Sequence, residues 1–255
     1  MFAPGTRGVS EPVRIAMWSG PRNISTAMMR AFGNRADCAV VDEPLYGFYL
    51  ARTGLDHPGA EAVIASQPND WREVAATLTG PVPGGAAVFY QKHMAHHLLA
   101  GVGRGWLARL SNCFLIRDPR EVIASYVKAR EQVSAADLGY EVQFAIFEAE
   151  KRRTGRTPPV LDAGDVLRDP AGMLSALCKA VGIAFDRAML SWPAGRRESD
   201  GVWAPYWYAN VERSTGFLPF TPSSRELPPD LEPLAAECRP WFEALFAERL
   251  RPVER

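Results

Sequence analysis

Residues 13–32 read Val13-Arg14-Ile15-Ala16-Met17-Trp18-Ser19-Gly20-Pro21-Arg22-Asn23-Ile24-Ser25-Thr26-Ala27-Met28-Met29-Arg30-Ala31-Phe32. A short apolar run over 13–18, closed by a Gly-Pro pair, reads as a buried strand. Residues 25–32 follow at once with a helical pattern. A strand that turns directly into a helix aims backbone N–H groups and a helix N-terminus at one spot, which suits an anion. Ser25 and Thr26 add hydroxyl donors there, and Arg22 adds a charged fork. The loop is not a Walker A: with Thr26 in the last place, Ser25 stands where Lys belongs and Ile24 where Gly belongs. The plainer alternative makes Ser25 a helix N-cap and Arg22 a solvated loop residue.

Working outward, four more short apolar runs read as strands, at 38–42, 86–91, 112–116 and 159–162. Helical patterns at 120–130 and 140–153 separate the later ones. Strands alternating with helices predict a three-layer α/β fold with a central, mainly parallel sheet of about five strands covered by helices. No linker-like stretch interrupts 12–255, so one domain is expected, after a flexible N-terminus over 1–11. Two stretches read as irregular loops that shape a pocket. The first is 51–85, with Gly54, Gly59, Gly80 and four Pro; the second is 195–229, with Trp203, Tyr206, Trp207 and Tyr208. Residues 230–250 read as a last amphipathic helix interrupted by Pro233 and Pro240.

A second strand-to-helix turn lies at Ile116-Arg117-Asp118-Pro119-Arg120-Glu121. Asp118 is a good N-cap, Pro119 fits the first helical position, and Glu121 completes a D-x-x-E capping arrangement. Arg117 then sits at the carboxyl end of a strand, where open α/β sheets bind ligands. Ser125 lies on a face able to share an anion with it. The alternative pairs Arg117 with a carboxylate and packs Ser125 as a small residue.

Together the two segments resemble the sulfotransferase family that uses 3′-phosphoadenosine 5′-phosphosulfate (PAPS). The resemblance runs from Arg14 to about Phe185. It includes Val160-Leu161-Asp162-Ala163-Gly164-Asp165-Val166-Leu167 and then Asp169-Pro170, like the family's strand, loop and D-P helix. It implies a P-loop-type fold and PAPS as co-substrate, leaving 3′,5′-bisphosphoadenosine as product, with no metal. It implies a first loop of Arg22, Asn23, Ser25 and Thr26 around the 5′-phosphosulfate, and Arg117 with Ser125 on the 3′-phosphate. Many relatives carry Lys where Arg22 stands and Gly near Ile24. Arg holds its proton, so Arg22 is expected to stabilise the leaving phosphate by charge and hydrogen bonding. The late Gly/Lys-rich loop of the family is not evident, and Arg196, Arg197 and Arg213 are candidates to replace it.

An acceptor hydroxyl or amine needs a base. Glu43, in Val41-Asp42-Glu43-Pro44, resembles the Glu-Pro segment of carbohydrate-type sulfotransferases, where Glu is the base; a turn-opening acid is the alternative. Lys92 and His93 follow the expected third strand and loosely resemble the Lys-x-His of small-molecule sulfotransferases. There Lys92 would contact the phosphosulfate and His93 would act as base. His93, His96 and His97 lack metal-binding spacing, and His96 and His97 read as helix-surface residues.

Of 255 residues, 47% are hydrophobic and 23% charged; Lys+Arg and Asp+Glu are both 29, for a net charge of 0. That balance argues against nucleic acid or an acidic membrane surface as partner. Only 4 of the 29 basic residues are Lys, an Arg bias that suggests codon usage in a GC-rich genome rather than a basic site. Cys38, Cys113, Cys178 and Cys238 are too far apart for a zinc ribbon or a dense disulfide framework, and no apolar run nears the ~20 residues of a membrane span. A cytoplasmic transferase acting on a small-molecule or carbohydrate acceptor is the leading expectation. A P-loop-type nucleotide kinase and a non-catalytic nucleotide-binding module on the same fold are the alternatives.

Overall fold

The computed structural model describes residues 11–128, 132–221 and 227–252. In chain order these form β1 (Val13–Ser19), α1 (Ser25–Gly33), β2 (Cys38–Asp42), α2 (Tyr46–Thr53), α3 (Ala60–Ser66) and α4 (Trp71–Thr79). Next come β3 (Val88–Met94), β4 (Ser111–Ile116), α5 (Pro119–Tyr126), α6 (Ala135–Leu138), α7 (Tyr140–Thr154) and β5 (Val160–Asp162). The chain continues through α8 (Ala163–Arg168), α9 (Pro170–Val181), α10 (Ala204–Trp207), α11 (Ala209–Glu212) and α12 (Glu232–Ala247).

All five strands pair in parallel, in the order β2-β3-β1-β4-β5. Side chains alternate across each strand, so every strand feeds two cores. Ile15, Met17, Tyr90, Cys113 and Leu115 pack against Met28 and Phe32 of α1 and Leu174 and Leu177 of α9. Ala16, Trp18, Phe89, Phe114 and Ile116 face the other way, against Leu78 of α4, Ile146 and Phe147 of α7 and Phe242 of α12. Fully burying each such large side chain contributes ~1.5–3 kcal/mol. The chain leaves β1 over one face and β4 over the other. Neighbouring strands with diverging connections open a crevice at their carboxyl ends.

Two expectations change. The stretch 51–85 is mostly helical, because its glycines and prolines punctuate short helices. Gly54 ends α2 and Gly59 precedes α3, both with positive φ, while Asp70 caps α4 by accepting from the Arg72 N–H. Val74 and Leu78 of α4 sit in the core. In the last helix Pro233 occupies the first turn, where no N–H is needed, and α12 runs on through Pro240. The expected N-terminal segment 1–11 lies outside the described residues except for Glu11, and so do 129–130 of the expected helix 120–130, which is seen as α5.

Candidate active site

A cleft of about 490 Å³ opens at the carboxyl edge of β1 to β4. Residues 21–27 after β1, Glu43 after β2, Lys92 and Met94 of β3, and Arg117 after β4 all line it. Among the described residues three non-glycine side chains have positive φ: Arg22 (57°), Ile24 (42°) and Glu43 (40°). All three line the cleft. A β-branched residue in this region, and a residue before proline in it, are both disfavoured. Strain of ~1–3 kcal/mol per residue, gathered on one cleft, makes that cleft the candidate functional site. The turn into α1 holds Ile24 in the left-handed region, the conformation a glycine would adopt without strain.

The loop after β1 is held from behind. A Cβ on Gly20 would lie 2.6 Å from the Leu138 carbonyl oxygen, so only glycine allows this approach. Asn23 Nδ2 donates to the Leu115 carbonyl (2.7 Å), while its buried Oδ1 has no partner among the described residues. Gln143 of α7 ties down the neighbouring strand ends, donating to Trp18 O (2.8 Å) and Leu115 O (3.0 Å). Ile24, not Ser25, is the N-cap of α1, and no acidic residue occupies that helix's first turn. Its free amides therefore present an undiluted positive end to the cleft.

Two guanidiniums meet beside this helix end. Arg117 Nη1 donates to the Arg22 carbonyl (3.0 Å), and Arg22 Nε donates to Ser125 Oγ (3.1 Å). Burial first, and then the charge on Arg117, lowers the Arg22 pKa from its ordinary value. Among the described residues one carboxylate answers them: Glu121 takes Arg117 Nε at 2.8 Å instead of closing a capping box. Asp118 caps α5 as expected, accepting from the Arg120 N–H. Arg22, Ser25, Thr26, Arg117 and Ser125 are thus brought to one cationic end of the cleft.

The β2–β3 end is different. Lys92 Nζ donates to Asp42 Oδ1 (2.9 Å), to Glu43 Oε1 and to the Tyr208 hydroxyl (3.0 Å). Tyr208 in turn donates to Asp42 Oδ2 (2.6 Å), and Trp203 Nε1 donates to Tyr208 (3.2 Å). Burial opposes a charged Lys92, but Asp42 and then Glu43 outweigh it and push its pKa well up. Burial, with the charge on Asp42, raises the Glu43 carboxyl against the pull of Lys92. Two carboxylates share one ammonium, and of the two Glu43 lines the cleft. Lys92→Met is expected to leave both carboxylates unpaired, at a cost of about 3–5 kcal/mol. A thermal melt should then fall by roughly 10 °C.

His93 is a correction. β3 extends to Met94, so Lys92 and His93 are consecutive strand residues on opposite faces. His93 is buried against Trp18, ring centroids 4.2 Å apart, away from the cleft, and burial lowers its pKa to about 3. His96 and His97 are corrected too: they line the cleft rather than a helix surface. Arg196, Arg197 and Arg213 do not reach the cleft, and Gly216, Phe217, Leu218 and Pro219 line it instead. An antiparallel bridge between Ser191 and Gly216 fixes where that segment begins. The roles of Asp42 and Tyr208 escaped sequence reading, although the run of aromatics around Tyr208 pointed to a binding wall. No cluster of metal-ligating side chains occurs among the described residues, and no helix there is long and apolar enough to cross a membrane.

A parallel five-strand sheet with an anion-ready loop after its central strand defines a P-loop-type α/β domain. The chain belongs to the sulfotransferase domain family, whose profile matches residues 13–247. The fold is shared with the sulfotransferase domain of the Synechococcus PCC 7002 olefin synthase, at 18% identity and TM-score 0.51, over 94% of this chain and 97% of that one. It is shared also with a sulfotransferase from Alicyclobacillus acidocaldarius, at 14% identity and TM-score 0.53, over 94% and 97%. Two Arabidopsis thaliana proteins match in sequence. Branched-chain-amino-acid aminotransferase-like protein 1 is 37% identical over 210 residues, 82% of this chain and 37% of that protein. Protein 2 is 32% identical over 231 residues, 91% of this chain and 41% of that protein. The chain therefore spans about two fifths of the length of these curated relatives.

Proposed function

We propose that residues 12–255 form one domain that moves a sulfuryl group from PAPS to a hydroxyl or amine acceptor. The observation that carries this reading is the convergence of Arg22, Arg117 and Ser125 beside the N-terminus of α1, two cations against one carboxylate among the described residues. The α1 amides, Arg22, Ser25 and Thr26 take the 5′-phosphosulfate; Arg117 and Ser125 take the 3′-phosphate, which displaces the Arg22–Ser125 contact. The acceptor oxygen or nitrogen attacks sulfur as the bond from sulfur to the 5′-phosphate oxygen breaks. Glu43 receives the acceptor's proton, and Arg22 stabilises the charge left on the phosphate. Lys92 holds Glu43 in place from the buried side.

The names of the curated relatives raise a second chemistry, aminotransfer through a lysine Schiff base. It needs a neutral, reachable lysine. Lys92 is the one lysine lining the cleft among the described residues, and two carboxylates keep it buried and charged. The site does not fit a lysine Schiff base. A nucleotide kinase fares no better, since the loop after β1 lacks its phosphate-binding lysine.

Thermal shift tests the assignment. The bisphosphate 3′,5′-bisphosphoadenosine is expected to raise the melting temperature well beyond AMP or magnesium ATP. Equal shifts for AMP and the bisphosphate remove the 3′-phosphate site. Strong bisphosphate binding with no sulfate transferred to a broad acceptor panel favours the non-catalytic module.

A further inference from the structure

We propose that Gln67 is a positioning residue for Glu43: from behind the cleft, its side-chain amide holds the turn at residues 43–47 in the conformation that keeps the Glu43 carboxyl on Lys92. This role rests on the sulfuryl-transfer reading and adds to it what keeps the base in place.

The turn is disfavoured by its own residues. Glu43 has φ 40°, and Pro44 follows it. A residue before proline prefers extended backbone, and a residue with a side chain avoids positive φ. Such a conformation persists only where its surroundings over-determine it. On one side the Glu43 N–H donates to the Lys92 carbonyl (2.9 Å), just past the end of β2. On the other side the Glu43 carbonyl accepts from the Tyr46 N–H (3.0 Å) and from Gln67 Nε2 (3.1 Å).

Gln67 stands 24 residues further along the chain, where α3 gives way to extended backbone. Both ends of its amide are engaged. While Nε2 donates to the Glu43 carbonyl, Oε1 accepts from the Gly47 N–H at 2.7 Å. An amide carries a donor and an acceptor, so it can bridge a carbonyl and an N–H, which a carboxylate cannot. Gly47 lies in the first turn of α2, whose N-cap, Leu45, offers no side-chain hydrogen bond. Gln67 therefore satisfies an amide that the helix leaves open and ties it to the Glu43 carbonyl. A Cβ on Gly47 would lie 2.9 Å from the Gln67 Cβ, so glycine is what lets α2 come this close.

The effect is indirect. Gln67 is not among the residues lining the cleft, whereas Glu43 is. Backbone φ at Glu43 sets where its side chain leaves the chain. Relaxing the turn to extended backbone would swing the carboxyl off Lys92 Nζ, its present partner.

Two variants separate this role from helix capping alone. Gln67→Glu keeps the shape and an acceptor for the Gly47 N–H but loses the donor to Glu43. Gln67→Met loses both contacts without adding charge. Each is expected to lower kcat about 10–100-fold, with KM for PAPS and bisphosphate affinity changed by less than about twofold. On a Glu43→Gln background either change should lower kcat by less than about twofold more, because Gln67 acts through that carboxyl. If Q67M is too unstable to purify, Q67E, in which α2 keeps its cap, carries the test. Crystal structures of the variants give a readout independent of turnover: Glu43 should leave positive φ and its carboxyl should leave Lys92. Native-like kcat in either variant, full losses on the Glu43→Gln background, or Glu43 still at positive φ on Lys92 overturns the proposal. If the native protein transfers no sulfate yet the variant crystals show the carboxyl displaced, the clamp stands and the sulfuryl-transfer reading falls.

Discussion

Replacing Arg117 with alanine is expected to weaken 3′,5′-bisphosphoadenosine binding by roughly 100-fold and to leave AMP binding nearly unchanged. The magnitude is that of losing one charge-assisted contact in a partly desolvated site. Two effects add. The guanidinium that would grip the 3′-phosphate is gone, and Glu121, now without its 2.8 Å partner, repels the incoming anion. AMP lacks the 3′-phosphate and uses the loop after β1, whose anchors through Asn23 and Gly20 do not involve the Arg117 side chain. Isothermal titration with both nucleotides reads the result. Equal losses for the two would mean that Arg117 supports the Arg22 carbonyl, to which it donates at 3.0 Å, rather than a phosphate.

Glu43→Gln is expected to lower turnover by about 10²–10⁴-fold with bisphosphate affinity intact. Glutamine keeps the shape and still accepts from Lys92 but takes no proton. The pH profile supplies a second reading. Burial foremost, and then Asp42, holds the Glu43 carboxyl above its ordinary 4.5, with Lys92 pulling the other way. A base works in its deprotonated form, so kcat/KM of the native protein should rise with pH along a limb centred above 4.5. Asp42, Lys92 and Tyr208 face the same carboxyl, and the limb belongs to the cluster as a whole. The limb should vanish in the variant. Undiminished turnover would remove Glu43 from the reaction.

All five strands were readable from residues, because each is a short apolar run closed by polar or turn residues, and burial on both faces leaves little else for such runs to do. Their edges were less so. Reading the third strand as ending at Gln91 put Lys92 and His93 together on a loop; three more residues of strand send them to opposite faces. The stretch 51–85 misled for a related reason: glycine and proline mark the ends of short helices as readily as they mark loops.

The amino-acid order alone established the strand–loop–helix turns at residues 19–26 and 116–121, since the groups proposed to cradle an anion at each turn lie close together in the chain. The chemistry on the other side of the cleft belongs to packing. Asp42 and Tyr208 are 166 residues apart, yet share a 2.6 Å hydrogen bond, and Lys92 reaches both. Proton affinity depends on desolvation and on which charges lie within a few ångströms, and no local pattern carries that information. Burial foremost, with Lys92 pulling one way and Asp42 the other, leaves the Glu43 carboxyl above its ordinary value, and Lys92 is itself held by Tyr208 from a distant segment.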